Sequence, residues 1–154
     1  MTTLRPIRAI PKNRITVLLV DDHKLIRTEQ RKILEAESDI HVVGEAANGK
    51  QAVEMARKLR PAVIVMDISM PKLSGLDATY QIRRVLPATR VLICSVHSDK
   101  VYVERAIEVG ATGYIIKQTV AEVLVSAVRA AQKGNTLFSP AFAKSLKKRT
   151  ASMP

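Results

Sequence analysis

Apolar residues in this chain fall into two alternating kinds of segment: short runs that are apolar at nearly every position, and longer stretches in which they recur at helical spacing. Ile15 to Val20 is a run of the first kind. A run without polar alternation suits a strand covered on both faces, as in a parallel sheet. Leu25, Ile26, Ile33 and Leu34 follow among Lys, Arg and Glu, the pattern of an amphipathic helix, with Asp22 or its neighbour placed to cap it.

The alternation repeats along the chain. Ile40 to Ala46 is a second strand, and Ala52, Val53, Ala56 and Leu59 form the apolar face of a second helix. Asn48-Gly49 between them has the composition of a hairpin turn, but the helical period after it argues against a hairpin. Pro61 precedes a third buried strand, Ala62 to Met66, which ends at Asp67. A loop with Pro71 and Gly75 leads to Ala78, Ile82, Val85 and Leu86, a third helix stopped near Pro87. Arg90 to Ser95 reads as a fourth strand, Val103, Ala106 and Ile107 with Gly110 as a short fourth helix, and Gly113 to Ile116 as a brief fifth strand. The last helix carries the stripe Val120, Val123, Leu124, Ala127, Val128 and Ala131, with Thr119 and Glu122 at capping-box spacing and Gly134 after its final turn.

Five strands alternating with five helices predict right-handed βαβ units: an α/β fold with a doubly wound, five-stranded parallel sheet and helices on both faces. Ligands of such sheets bind beyond the carboxyl ends of the strands. Those ends carry Asp21 and Asp22, then Asp67, Ser95 and Lys117. Three converging carboxylates repel one another unless a cation is present, and hard oxygen ligands that leave room for water and phosphate match Mg²⁺. A lysine and a hydroxyl opposite them suit the oxygens of a phosphoryl group.

The motifs Val20-Asp21-Asp22, Met66-Asp67-Ile68-Ser69-Met70-Pro71 with Gly75, Ser95, and Tyr114-Ile115-Ile116-Lys117 resemble the receiver domains of two-component response regulators. The resemblance covers about residues 15 to 133. The spelling around Asp67 and Gly110-Ala111-Thr112-Gly113-Tyr114 is most similar to the branch that carries a LuxR-type DNA-binding domain. It implies a flavodoxin-like fold and a phosphoacceptor that catalyses its own phosphotransfer and slow dephosphorylation, without being an enzyme in the usual sense. Asp67 would take the phosphoryl group from a sensor histidine kinase. Asp21, Asp22, Asp67 and the backbone carbonyl of Ser69 would hold Mg²⁺, while Lys117 and Ser95 would bind the phosphoryl oxygens. Ser95 and Tyr114 would form the switch, Tyr114 moving inward on phosphorylation, and Ser69 and His97 would tune the phosphoryl lifetime. The expected readout is a change in the surface of the fourth helix, fifth strand and fifth helix that drives homodimerisation.

Some positions vary from the family pattern. Gln118 follows Lys117 where many receivers have proline, so a cis peptide is not expected there. His23, His41 and His97 are too dispersed for a zinc site made of histidines. A haloacid-dehalogenase-type phosphatase also uses a nucleophilic aspartate, but needs an acid two residues later, where this chain has Ser69. Neither glycine-rich nucleotide-binding motif occurs.

Charge changes the picture least once it is divided. The formal net charge of +11 suggests a nucleic-acid binder. Residues 15 to 133, however, hold all 14 acids against 17 of the 25 Lys and Arg. The remaining basic residues lie in an arm, 1–14, and a tail or linker start, 134–154. The tail is too short for a helix-turn-helix module, so DNA contact is expected only through an output domain absent from this chain, with a stand-alone receiver as the alternative. No apolar stretch approaches membrane-spanning length, no secretory pattern precedes Ile15, and the lone Cys94 fits a reducing compartment. A cytoplasmic protein without membrane contact is expected.

Overall fold

In the computed structural model, which describes residues 13–138, the apolar runs become strands β1 (Ile15–Val20), β2 (Ile40–Ala46), β3 (Val63–Met66), β4 (Arg90–Ser95) and β5 (Gly113–Ile116). Helices α1 (Lys24–Glu35), α2 (Gly49–Leu59), α3 (Gly75–Val85), α4 (Lys100–Glu108) and α5 (Val120–Gln132) alternate with them, and a 3₁₀ turn (Lys117–Thr119) leads into α5. The sheet order is β2-β1-β3-β4-β5 and every pairing is parallel. The chain moves one way from β1 to β2 and the other way from β3 onward, so the topological switch point lies between β1 and β3.

Side-chain alternation divides the strands between two cores. Leu18, Val20, Ile64, Met66 and Ile93 pack with α2, α3 and α4, while Val17, Leu19, Val65, Leu92 and Cys94 pack with α1 and α5. Burial pushes the Cys94 thiol up to about 12, so it packs as an inert apolar group.

The local start and stop signals fare unevenly. Asn48 caps α2 by accepting from Gln51 N–H, as its helical continuation requires, and Gly110 and Gly134 adopt positive φ of 98° and 82° after α4 and α5. Of Asp22 and its neighbour, it is the neighbour His23 that takes the N-cap position of α1, without a side-chain hydrogen bond to the helix. The capping box fails, because the Thr119 hydroxyl donates to the Ile116 carbonyl instead. Leu25 lies off the apolar stripe and is 84% exposed, since at about 100° per residue it sits half a turn round the helix from the buried Leu34.

After α5 the chain runs back along the sheet. Leu137 bridges to Gly113, donates its N–H to the Thr112 carbonyl and accepts from Tyr114 N–H, and Phe138 packs on the core. Ordered packing therefore continues past residue 133, where the sequence reading placed its boundary. The basic side chains Arg5, Arg8, Lys12, Lys144, Lys147, Lys148 and Arg149 lie outside the described residues. Among the described residues, no helix is long and apolar enough to cross a membrane.

Candidate functional site

The switch point brings the ends of β1 and β3 side by side, because Val20 pairs with Met66 and the Asp67 N–H donates to the Val20 carbonyl. Asp21 and Asp67 thereby share one pocket, both nearly fully buried, while Asp22 stands at its rim with its side chain 30% exposed. Oxygens of Asp21, Asp22 and Asp67 and a ring nitrogen of His23 all lie within 4.8 Å of one another, an arrangement able to hold a metal ion.

Lys117, just past β5, reaches into this pocket. Its Nζ lies 2.6 Å from Asp21 Oδ2 and 3.3 Å from Asp67 Oδ1. One ammonium thus serves two buried carboxylates. Burial pushes the Asp67 carboxyl above its ordinary value, the charge of Asp21 adds to this, and Lys117 with the Ile68 N–H offsets it only in part. For Lys117, burial alone would favour the neutral amine, but its bonds to Asp21 and Asp67 outweigh burial and raise its pKa. The site holds more negative charge than it neutralises, which is the condition for attracting a cation.

Glycine positions the third wall. A Cβ on Gly75 would lie 1.7 Å from the Asp67 carbonyl oxygen, so only glycine lets the start of α3 approach that backbone, where its N–H donates to the Ile68 carbonyl. The loop between Asp67 and Gly75 is closed across the strand ends by Ser69, whose Oγ lies 3.1 Å from His97 Nε2.

His97 connects the remaining sequence candidates. Its N–H donates to the buried Ser95 hydroxyl at 3.1 Å, its carbonyl accepts from the Tyr114 hydroxyl at 2.6 Å, and its ring stacks on Tyr102 of α4 with centroids 4.2 Å apart. Ser95 therefore presents its oxygen to His97 and not to Asp67. Tyr114 lies inward and is 3% exposed. Packing of the ring against the α4 side of the core and the bond to His97 account for that position.

Two residues at the site were not singled out from the sequence. His23 follows the acidic pair directly, and its adjacency to Asp22 was the available signal. Arg27 lies one turn into α1 and donates from Nη1 to the Asp21 carbonyl at 2.6 Å and from Nε to Glu45 of β2 at 2.9 Å. It ties the acidic loop to the neighbouring strand, and nothing in linear spacing marks it.

A profile of the response regulator receiver domain matches residues 17–129. The transcriptional regulatory protein DegU of Brevibacillus brevis is 37% identical over 131 residues, 85% of this chain and 56% of that protein. The response regulator protein VraR of Staphylococcus aureus is 40% identical over 126 residues, 82% of this chain and 60% of that protein. Among solved structures, a LuxR-family two-component response regulator from Aurantimonas matches with a TM-score of 0.81 and 32% identity, covering 90% of this chain and 99% of that one. The receiver domain of the NarL response regulator from Mycobacterium tuberculosis matches at 0.77 and 32%, covering 80% and 99%. The chain spans less than two thirds of the length of the two full-length relatives.

Proposed function

The chain belongs to the response regulator receiver family of two-component signalling, and from that premise we propose that Asp67 is its phosphoacceptor. The observation that carries this reading is the sharing of Lys117 between two buried carboxylates at the switch point. Asp67 Oδ1 is held by Lys117 and the Ile68 N–H, which leaves Oδ2 to attack phosphorus. An Asp67 oxygen–phosphorus bond forms while the bond from phosphorus to the histidine nitrogen of a sensor kinase breaks, its electron pair returning to the imidazole. Lys117 then exchanges Asp21 for a phosphoryl oxygen, and the Ser95 hydroxyl turns from Tyr114 to donate to another.

The donor set fits Mg²⁺. Asp21 Oδ2 is buried and, among the described residues, is met only by the Lys117 ammonium, and hard carboxylate oxygens from Asp21, Asp22 and Asp67, with the Ser69 carbonyl, are the ligands this ion prefers. When bound, Mg²⁺ neutralises charge on the transferring phosphoryl oxygens. Ser69 and His97, joined across the mouth, control how water reaches the acyl phosphate and so its lifetime.

Output follows from the same contacts. Ser95, His97 and Tyr114 join the pocket to α4 and β5, and phosphorylation shifts their exchange of hydrogen bonds toward a tighter homodimer through α4, β5 and α5. We assign the alternating elements of residues 15–133 to the receiver module, with Leu137 and Phe138 packed back on it, residues 1–14 as a basic arm and the remainder of 134–154 as a basic tail or the start of a linker. DegU, a relative, is a transcriptional regulatory protein, and by that likeness we read this receiver as the regulatory part of a transcriptional regulator, with a stand-alone receiver acting by protein contact as the alternative.

Asp22→Ala tests the metal-dependent core of this reading. It should raise the Mg²⁺ concentration for half-maximal phosphorylation by acetyl phosphate about tenfold or more, with the apo fold intact. Unchanged labelling at limiting Mg²⁺ would contradict it.

A further inference from the structure

Two adjacent residues of β2 hold the two ends of one residue of the pocket. The Asp21 N–H donates to the Ala46 carbonyl at 3.1 Å. The Asp21 carbonyl accepts from Arg27 Nη1 at 2.6 Å, and Arg27 Nε donates to Glu45 Oε1 at 2.9 Å. Arg27 makes this bridge from α1 with only 14% of its side chain exposed. Its planar fork fixes the separation of the two bonds, which a flexible ammonium does not. With its backbone held on both sides, Asp21 directs Oδ2 at Lys117 and Oδ1 at the His23 N–H.

Glu45 reaches Arg27 only because the pairing of β1 with β2 slips by one residue. Val17 lies opposite Val42, but Leu18 lies opposite Gly44. Before the slip, Ile40 and Val42 point into the core beneath α1 and α5, whereas after it Ala46 points into the core beneath α2, α3 and α4. An unbroken two-residue period would put 42 and 46 on one face, so the slip exchanges the faces of everything beyond it. Glu45 therefore projects toward α1, where its two oxygens meet Arg27 and Arg31. In the unslipped register it would project toward α2 and leave Arg27 without its acid. A link between α1 and β2 is already supplied by Arg31, which among the described residues bonds to Glu45 and Glu35 and to no residue of the acidic loop. What Arg27 adds is the bond to Asp21.

We propose that Arg27, oriented by Glu45, is a positioning residue of the acidic pocket: it holds the Asp21–Asp22 loop at the spacing at which those carboxylates and Asp67 can share one Mg²⁺. The inference rests on the reading of this pocket as a Mg²⁺ site. Arg27 acts through the Asp21 peptide and contributes no ligand of its own. Charge and position have opposite signs here. A cation beside an acidic pocket opposes Mg²⁺ by charge alone, so losing it would tighten binding. As the partner that orients a ligand, its loss weakens binding, because the ion must then order the loop itself.

Arg27→Met and Arg31→Met remove the same charge from the same helix face, and so separate position from charge and from stability. Mg²⁺ is titrated by calorimetry into the full 154-residue chain and each variant, with folding checked by circular dichroism, and the Mg²⁺ dependence of phosphorylation by acetyl phosphate is measured alongside. Arg27→Met should bind Mg²⁺ about tenfold more weakly, whereas Arg31→Met should stay within about twofold of the wild type. Arg27→Lys keeps the charge but not the fork, and should still lose about threefold or more. In Arg27→Met the Mg²⁺ needed for half-maximal phosphorylation should rise with the binding constant, while the rate at saturating Mg²⁺ falls by less than about threefold. Unchanged or tighter Mg²⁺ binding by Arg27→Met, wild-type affinity in Arg27→Lys, or an equal loss in Arg31→Met overturns the proposal. If Arg27→Met does not fold, Arg27→Lys set against Arg31→Met decides by the same criteria. A wild type that binds no Mg²⁺ would instead remove the reading of the pocket on which this inference rests.

Discussion

At the amino ends of the strands, Arg129 of α5 donates to both oxygens of Asp39 and to Glu37, with all three side chains more than a third exposed. Buried hydroxyls there complete the backbone bonding: Thr89 donates to the Pro61 carbonyl. At the carboxyl ends, Asp21 and Asp67 are almost wholly buried and share one ammonium. The first end places the Arg129 cluster where water screens it and gives that cation two acids. The second keeps an excess of buried negative charge. A fold that needed only stability would not arrange its second end this way, because burying carboxylates is costly without full compensation.

The contrast has opposite pH signatures. The hydrogen bond from Arg129 holds the Asp39 carboxyl below its ordinary value, so its contribution is present above the ordinary carboxylate range and is lost as pH falls through the depressed value. Asp67 is raised by burial and by Asp21, so its contribution is present at low pH and is lost as pH rises through the elevated value.

Lys117→Met should disturb the balance most. It leaves two buried carboxylates without their cation, at a cost of about 3 kcal/mol, measured by urea unfolding at neutral pH without divalent ions. The cost should shrink on acidification, as Asp67 takes up a proton, and on adding Mg²⁺. Phosphorylation should fall at least about 100-fold. A neutral substitution would show that the carboxyl end is not held against repulsion.

Asp67→Asn should act with the opposite sign. Removing one of the repelling charges should stabilise the apo protein by about 1 kcal/mol near neutrality, with the gain fading below the ordinary carboxylate range. Equal destabilisation at every pH would contradict the electrostatic account.

Arg129→Met should have the smallest effect, a fall in Tm of at most about 2 °C that disappears near roughly 1 M salt. A larger, salt-insensitive loss in thermal unfolding would mean that the amino end contributes more than screened ion pairs.

The same contrast governs what the sequence discloses. The central strands are legible because the parallel sheet buries both faces, so Val63–Met66 has no polar position to confuse its period. The site residues are legible because they end those strands. Features that depend on rotation within one turn are not. Leu25 and Ile26 are equally apolar neighbours, yet only the former points to water, and Thr119 has the spacing of a cap but turns its hydroxyl back to Ile116. Tertiary pairings are hidden altogether: Arg129 and Asp39 lie 90 residues apart, and the inward Tyr114 depends on a carbonyl contributed by His97.

The central claim is that the uncompensated end of the sheet exists to accept a phosphoryl group on Asp67. Intact-mass and peptide mass spectrometry after incubation with Mg²⁺ and acetyl phosphate measures this directly. The account predicts one added phosphoryl group on the wild-type chain, mapped to Asp67, absent from Asp67→Asn and from protein kept in a chelator. Full labelling of Asp67→Asn, or labelling of the wild type that does not depend on Mg²⁺, would contradict it.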